Sequence, residues 1–392
     1  MSLDPARLPS RPPADPAIRS AVLGGLVALA VAMGIGRFAF TPLMPLMIRD
    51  GSLDAAVGAE WAAANYVGYL VGALTAARFT DPRPGLRLGL VGVAGTTLAM
   101  AGIGTVPSTL PGAGLRAAAG VFSAWALVCA SGWCLAELAR RRAEAMGAWI
   151  YTGVGLGIAF AGVLAWLCGR QPANRLWLEL GLIAAAGAWL VWRFSRGSRE
   201  AGDAPRTAAA PASRRGGQAV LVVCYGAFGF GYIVPATFLP AMARDLAPDP
   251  LVFGLAWPLF GLAAAVSVAG VARWLQRTPR RRIWAVAQGV MALGTALPLL
   301  APSLWSVAAS ALLVGGTFMV ATMAGLQLAR EARPADPTPL LARMTAAFAA
   351  GQIAGPLMVR ALGPLHADAL VWTGTAATVV LVGTAVWLWR EA

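Results

Sequence analysis

The chain has 392 residues, 58% of them hydrophobic and only 12% charged, against about 25% charged in an ordinary soluble chain. All 31 basic residues are arginine, so no Walker-type GxxxxGK[ST] can form and an ATP-driven motor is excluded. The single histidine, His366, leaves no His-based metal site and no Ser-His-Asp triad, and clustered acids are absent, so neither a cofactor nor an enzyme is expected.

Residues 1–19 are rich in proline and arginine without apolar periodicity and are expected to form a disordered cytoplasmic arm. Twelve apolar runs follow, at roughly 21–48, 56–77, 86–106, 110–138, 143–168, 174–193, 218–243, 251–272, 283–301, 303–329, 340–362 and 368–389. Many are near the ~20 residues that cross a bilayer as a helix. The fold class they imply is an all-α polytopic membrane protein of twelve transmembrane helices.

Charge orders the loops between them. With the N-terminus inside and the spans alternating, 24 arginines fall in inner segments and five in outer ones. That bias is the positive-inside rule, which places both termini in the cytoplasm of a cell with a bacterial-type inner membrane. The basic charge is therefore topology, and no nucleic-acid partner is expected. Cys129, Cys134, Cys168 and Cys224 sit within spans without a CxxC pair and read as small packing residues.

The chain also repeats itself. "GIGRFAFTPLMPLMIRD" (34–50) aligns without gaps on "GFGYIVPATFLPAMARD" (229–245) at an offset of 195, which carries Gly34, Gly36, Pro45, Met47, Arg49 and Asp50 onto identical residues. The same offset carries Ala77-Arg78, Arg87, Pro107-Ser108 and Gly120 onto identities. The expected units are a six-helix half at 20–193, a cytoplasmic linker rich in arginine, serine, alanine and proline at 194–217, and a second half at 218–392. Repeats of six helices enter the membrane with one orientation, as parallel repeats do.

The twelve-span layout, the basic central loop and the repeat resemble the major facilitator superfamily across nearly the whole chain. "GIGRFAFTPLMP" and "GFGYIVPATFLPAMA" look like signature helices of its YbfB/YjiJ-type branch, whose members are often labelled sugar or arabinose efflux permeases. The resemblance implies a secondary active transporter that moves a small polar solute (a sugar, sugar acid or organic anion) by alternating access. An uptake permease of the same fold is the alternative, and a non-transporting signalling or scaffold protein is a more distant one. Within that resemblance, "AARFTDPRPGLR" keeps Asp81, Arg83, Gly85 and Arg87 of the superfamily's inner-loop charge clamp in degraded spacing. "RAAAG" (116–120) is similar to the RxxxG motif of proton-coupled members and extends the expectation to a coupling proton through Arg116. Those members usually carry proline in a glycine-rich fifth span, whereas this chain places Gly355-Pro356 in its eleventh.

The residues expected to do the chemistry are the polar ones set in apolar runs. Arg37 lies about 24 Å along a helix from Ala21, at 1.5 Å per residue, and an arginine at a helix centre costs about 2.5–3.5 kcal/mol on insertion scales. Its repeat mate is Tyr232, and that of Arg116 is Ala311, so both charges break the internal symmetry. Arg37 and Tyr232 are therefore expected at a central substrate site, with Asn65, Tyr66 and Tyr69 on its outer approach and Gln288, Gln327 and Gln352 as hydrogen-bonding groups from the second half. Glu60, at the outer end of span 2, is a candidate proton carrier or an interfacial charge. The partners expected are a small-molecule solute, a coupling proton and the lipid bilayer, with the protein acting as a monomer.

Overall fold

A computed structural model describes residues 15–103, 109–196, 215–246, 250–334, 336–362 and 368–391. Most of the arm and the linker, Pro107-Ser108 and His366 lie outside the described residues. Among the described residues twelve helices form and no strand does: α1 (Pro16–Arg49), α2 (Ala55–Ala76), α3 (Pro82–Met100), α4 (Thr109–Arg140), α5 (Thr152–Leu167), α6 (Ala173–Arg196), α7 (Arg215–Leu246), α8 (Pro250–Trp274), α9 (Arg280–Leu300), α10 (Leu304–Ala332), α11 (Thr338–Leu362) and α12 (Ala369–Arg390).

Local chemistry sets the starts and stops. Asp15 caps α1 by accepting from the Ala17 N–H at 2.9 Å, Asp54 caps α2 through the Val57 N–H at 2.8 Å, and Asp81 caps α3 through the Arg83 N–H at 3.0 Å. Pro16 and Pro82 follow two of these caps, where the missing N–H costs nothing. Ser303 and Ser306 form a reciprocal capping box at the start of α10. Beyond α1 the chain turns at Gly51 with φ +72°, a conformation open to glycine at no steric cost.

Nine of the spans among the described residues are long and apolar enough to cross a bilayer. The remaining helices are α2, α3 and α11. Two of them carry the polar groups singled out above, with Asn65, Tyr66 and Tyr69 on α2 and Gln352 on α11. Large apolar side chains such as Val91, Leu182, Trp189 and Val379 face outward, as lipid-facing positions require.

Helix pairing repeats six helices later. The α1–α5, α2–α4, α3–α4 and α3–α6 contacts recur as α7–α11, α8–α10, α9–α10 and α9–α12. The two sets meet through α5 against α8 and α2 against α11. Glycine makes the closest approaches. On α5, Gly153 and Gly157 press on the α1 backbone at Leu26 and at Ala30 and Gly34. Gly155 and Gly162 instead face α8 at Gly261, Ala265 and Pro258. One helix thus presents bare backbone to its own half on one side and to the other half on the opposite side.

α1 departs from regular geometry at a telling place. Ala30–Phe38 winds as a π-helix, with Arg37 in its last turn. In that register each carbonyl waits for the N–H five residues on, and for Arg37 that residue is Pro42, which has none. α7, its repeat partner, is a continuous α-helix.

Candidate functional site

Arg37 is 3% exposed. Its guanidinium carbon lies 3.9 Å from the ring centre of Tyr69, 5.5 Å from that of Tyr66 and 5.6 Å from that of Phe38. Cation–π attraction is worth about 2 kcal/mol or more when desolvated, which offsets part of the burial cost. Nη2 donates to Gln352 Oε1 on α11, tying the two halves together. Nε and Nη1 are buried and have no hydrogen-bond partner among the described residues. No ion pair reaches Arg37 or Arg116 among the described residues.

Arg116, on α4, does a different job. Its Nη1 and Nη2 donate to the carbonyls of Gly36 and Arg37, both at 3.2 Å, and its guanidinium carbon sits 4.5 Å from the Phe40 ring centre. It therefore ties α4 to the end of the π segment through two of its carbonyls. Asn65 donates from Nδ2 to the Arg116 carbonyl at 2.9 Å, binding α2 to α4. Gly120 allows this approach, since its Cα packs directly on the α2 backbone at Asn65 and Tyr69.

These groups border a cavity of about 40 Å³, room for a few water molecules. α1, α2 and α4 contribute Arg37, Asn65, Tyr66 and Arg116 to its lining; α7 and α8 contribute Tyr232, Ile233, Ala236 and Trp257. Behind the second wall four rings stack in series. Tyr232–Phe318, Phe318–Phe260 and Phe260–Trp257 have centroids 5.0, 5.2 and 5.3 Å apart and interplanar angles of 19°, 24° and 5°.

The structure therefore brings together Arg37, Asn65, Tyr66, Tyr69, Arg116, Tyr232 and Gln352. It takes the other two glutamines elsewhere. Gln288 donates to Thr384 between α9 and α12, and Gln327 lies beside Gly147 near the C-terminal ends of α4 and α10. Glu60 is exposed in the opening turns of α2. Asp81 caps its own helix and pairs with Arg83 at 3.8 Å, while Arg87 donates from Nη2 to Ser195 Oγ on α6 at 2.9 Å. Gly355 packs against Ile233 of α7, and Pro356 lies within α11. The ring stack was not singled out from sequence. Trp257, Phe260 and Phe318 are spaced like any aromatics in a membrane helix, and only the packing of α8 on α10 brings them into line.

Comparison with known proteins follows the same lines. A search of curated proteins returns no significant match. The crystal structure of the human organic anion transporter MFSD10 (TETRAN) superposes with a TM-score of 0.72 at 16% identity, covering 96% of this chain and 100% of that one. At that identity the likeness is one of fold. The family model described as "Uncharacterised MFS-type transporter YbfB" matches residues 29–388. The chain is a multi-pass membrane transporter and belongs to the YbfB-type family of the major facilitator superfamily.

Proposed function

We propose that this transporter carries a small organic anion, which Arg37 binds through its carboxylate. The observation that carries the reading is the pair of buried, unpartnered donors on Arg37, Nε and Nη1, beside the cavity. Leaving such groups unmet costs about 1–3 kcal/mol each, more when charged, and a carboxylate brings the acceptors they lack, taking either one in a planar fork shared with Nη2. The lining adds two further unpartnered donors, Arg116 Nε and Trp257 Nε1, against one unpartnered acceptor, Asn65 Oδ1. Each sugar hydroxyl that accepts here brings an O–H donor of its own, for which the lining has few open acceptors. An anion brings acceptors only. The human protein of the same fold is an organic anion transporter, but a shared fold carries no substrate; Arg37 is what supports the class.

The remaining parts of the reading follow from topology and resemblance. The arginine bias of the loops supports a bacterial-type inner membrane with both termini in the cytoplasm. Two halves that rock about the cavity, exposing it to one side at a time, account for transport without a motor. Export coupled to a proton is the direction that the Arg116–Gly120 pattern favours, with a single chain as the working unit. Among the described residues no carboxylate lines the cavity, and this reading puts a coupling proton outside it or on the solute.

The test is binding of a panel of carboxylates to purified protein in detergent, for wild type, Arg37→Lys and Arg37→Ala, alongside melting temperature. Arg37→Ala is expected to weaken binding about tenfold to a hundredfold, the equivalent of about 1.5–3 kcal/mol for a hydrogen bond to a charged group. Arg37→Lys should fold and still lose most of the affinity, because an ammonium cannot form the fork. Wild-type affinity in Arg37→Ala would sink the reading.

A further inference from the structure

The two walls of the cavity are chemically unlike, and their difference bears on the rest of the solute. On the side of α1, α2 and α4 stand both arginines and Asn65, set among Phe38, Phe40 and Tyr66. On the side of α7 and α8 stand Tyr232, Ile233, Ala236 and Trp257, and Tyr232 and Trp257 both belong to the ring stack, which Phe348 continues beyond Tyr232. Among the described residues, the one unpartnered buried polar side-chain atom lining that side is Trp257 Nε1.

We infer that the substrate is an amphipathic monocarboxylate with a flat apolar body, held by its carboxylate at Arg37 and by its body against the Tyr232–Trp257 wall. This rests on the reading that Arg37 binds an anion. It goes further by excluding compounds that carry a second charge or a run of hydroxyls at the far end. A dicarboxylate would bury its second charge among rings and aliphatic groups, where a desolvated charge is costly. A sugar acid would leave its hydroxyls facing rings and aliphatic groups, unpaired and desolvated. A ring or short hydrocarbon body loses nothing there and gains the stacking and burial that aromatic walls provide. The wall is also rigid on its own account. Tyr232 leans on both Phe318 and Phe348, at 5.0 and 6.1 Å, so it need not be ordered when the solute arrives. At about 40 Å³ the cavity is smaller than any such molecule, so the solute enters as the walls part and is gripped as they close.

The experiment is calorimetric titration of the full chain in detergent with phenylacetate, succinate and gluconate. Wild type is compared with Arg37→Ala, Trp257→Ala and Tyr232→Leu, with melting temperature as the folding control. Phenylacetate is expected to bind wild type at least about tenfold tighter than succinate or gluconate. Trp257→Ala and Tyr232→Leu should each weaken phenylacetate several-fold to about tenfold while moving the other two ligands little. The two variants lie on separate helices, so one that misfolds leaves the other. If succinate or gluconate binds tighter than phenylacetate and does so through Arg37, the inference falls and the anion reading stands. Phenylacetate affinity unchanged in both wall variants also overturns the inference. If no compound shows Arg37-dependent binding, the anion reading itself falls, and this inference with it.

Discussion

α1 and α7 descend from the same repeat, yet one is a broken rod and the other a continuous one. In the first half Gly34 meets Gly157 backbone to backbone, the helix winds as a π segment, and Arg37 emerges at its end. In the second half the mate of Arg37 is Tyr232, and the offset of 195 carries Gly157 onto Gln352. The side chain missing from the first half is thus present in the second, and it reaches back across the bundle to Arg37. The comparison teaches that a duplicated fold makes a site by diverging at equivalent positions. One copy supplies the charge, and the other supplies the ring wall and the amide that steadies it.

The largest effect should come from making the halves alike again. Gly157→Gln would place a side chain where an added Cβ already lies 2.9 Å from Gly34 Cα and Ala30 Cα. Overpacking of this kind costs about 1–3 kcal/mol or more, so the variant should express poorly or melt well below wild type. A wild-type melting temperature would mean that the α1–α5 contact does not fix the π segment.

Arg116→Gln comes next and separates the two arginines. It removes a forked donor from the carbonyls of Gly36 and Arg37, at about 1–3 kcal/mol for an acceptor left unpaired. Stability should fall while carboxylate affinity falls less than in Arg37→Ala. The reverse order would make Arg116 the ligand-holding arginine and Arg37 its brace.

The smallest effect lies at the arginine-rich ends, where each half is tied down by ion pairs. Arg281 pairs with Glu391 at 2.9 Å in the second half, while Asp15 pairs with Arg141 in the first. The Ala17 N–H and then Arg141 hold the exposed Asp15 carboxyl below the usual aspartate range. A depressed value contributes stability that is present above the unfolded pKa and fades as pH falls through the folded one. Asp15→Asn should therefore lower the melting temperature slightly at neutral pH, with the difference from wild type held down to about pH 4 and shrinking as pH falls further. A difference that does not shrink on acidification would assign the effect to something other than the charge of Asp15.

Much of this was legible in the sequence, for physical reasons that also mark its limits. Twelve helices, the repeat and the odd arginine are visible because lipid punishes charge and so leaves few charges to explain. Arg37, Tyr66, Tyr69 and Tyr232 could be grouped from depth and symmetry. Which of three glutamines would reach Arg37 could not, because Gln288, Gln327 and Gln352 have the same chemistry and differ in the direction each helix turns them. The inner-loop clamp was expected from a motif whose spacing is degraded here; in the structure Asp81 caps α3 and pairs with Arg83. The π segment left no mark beyond Gly34, Gly36 and Pro42, each of which also occurs in ordinary helices.

One feature of α5 bears on how fast such a machine can run. Gly155 meets α8 as smooth backbone at Gly261 and Ala265, and Gly162 makes room for the single ring of Pro258. A joint with meshed teeth must lift each residue over the next, re-sorting rotamers as it goes, and a single added methyl can jam it. A toothless joint has none of that friction and can shear by small steps. Gly153 and Gly157, on the opposite face, keep the same helix seated against α1 meanwhile. α5 is built as a bearing, fixed to its housing on one side and polished on the other.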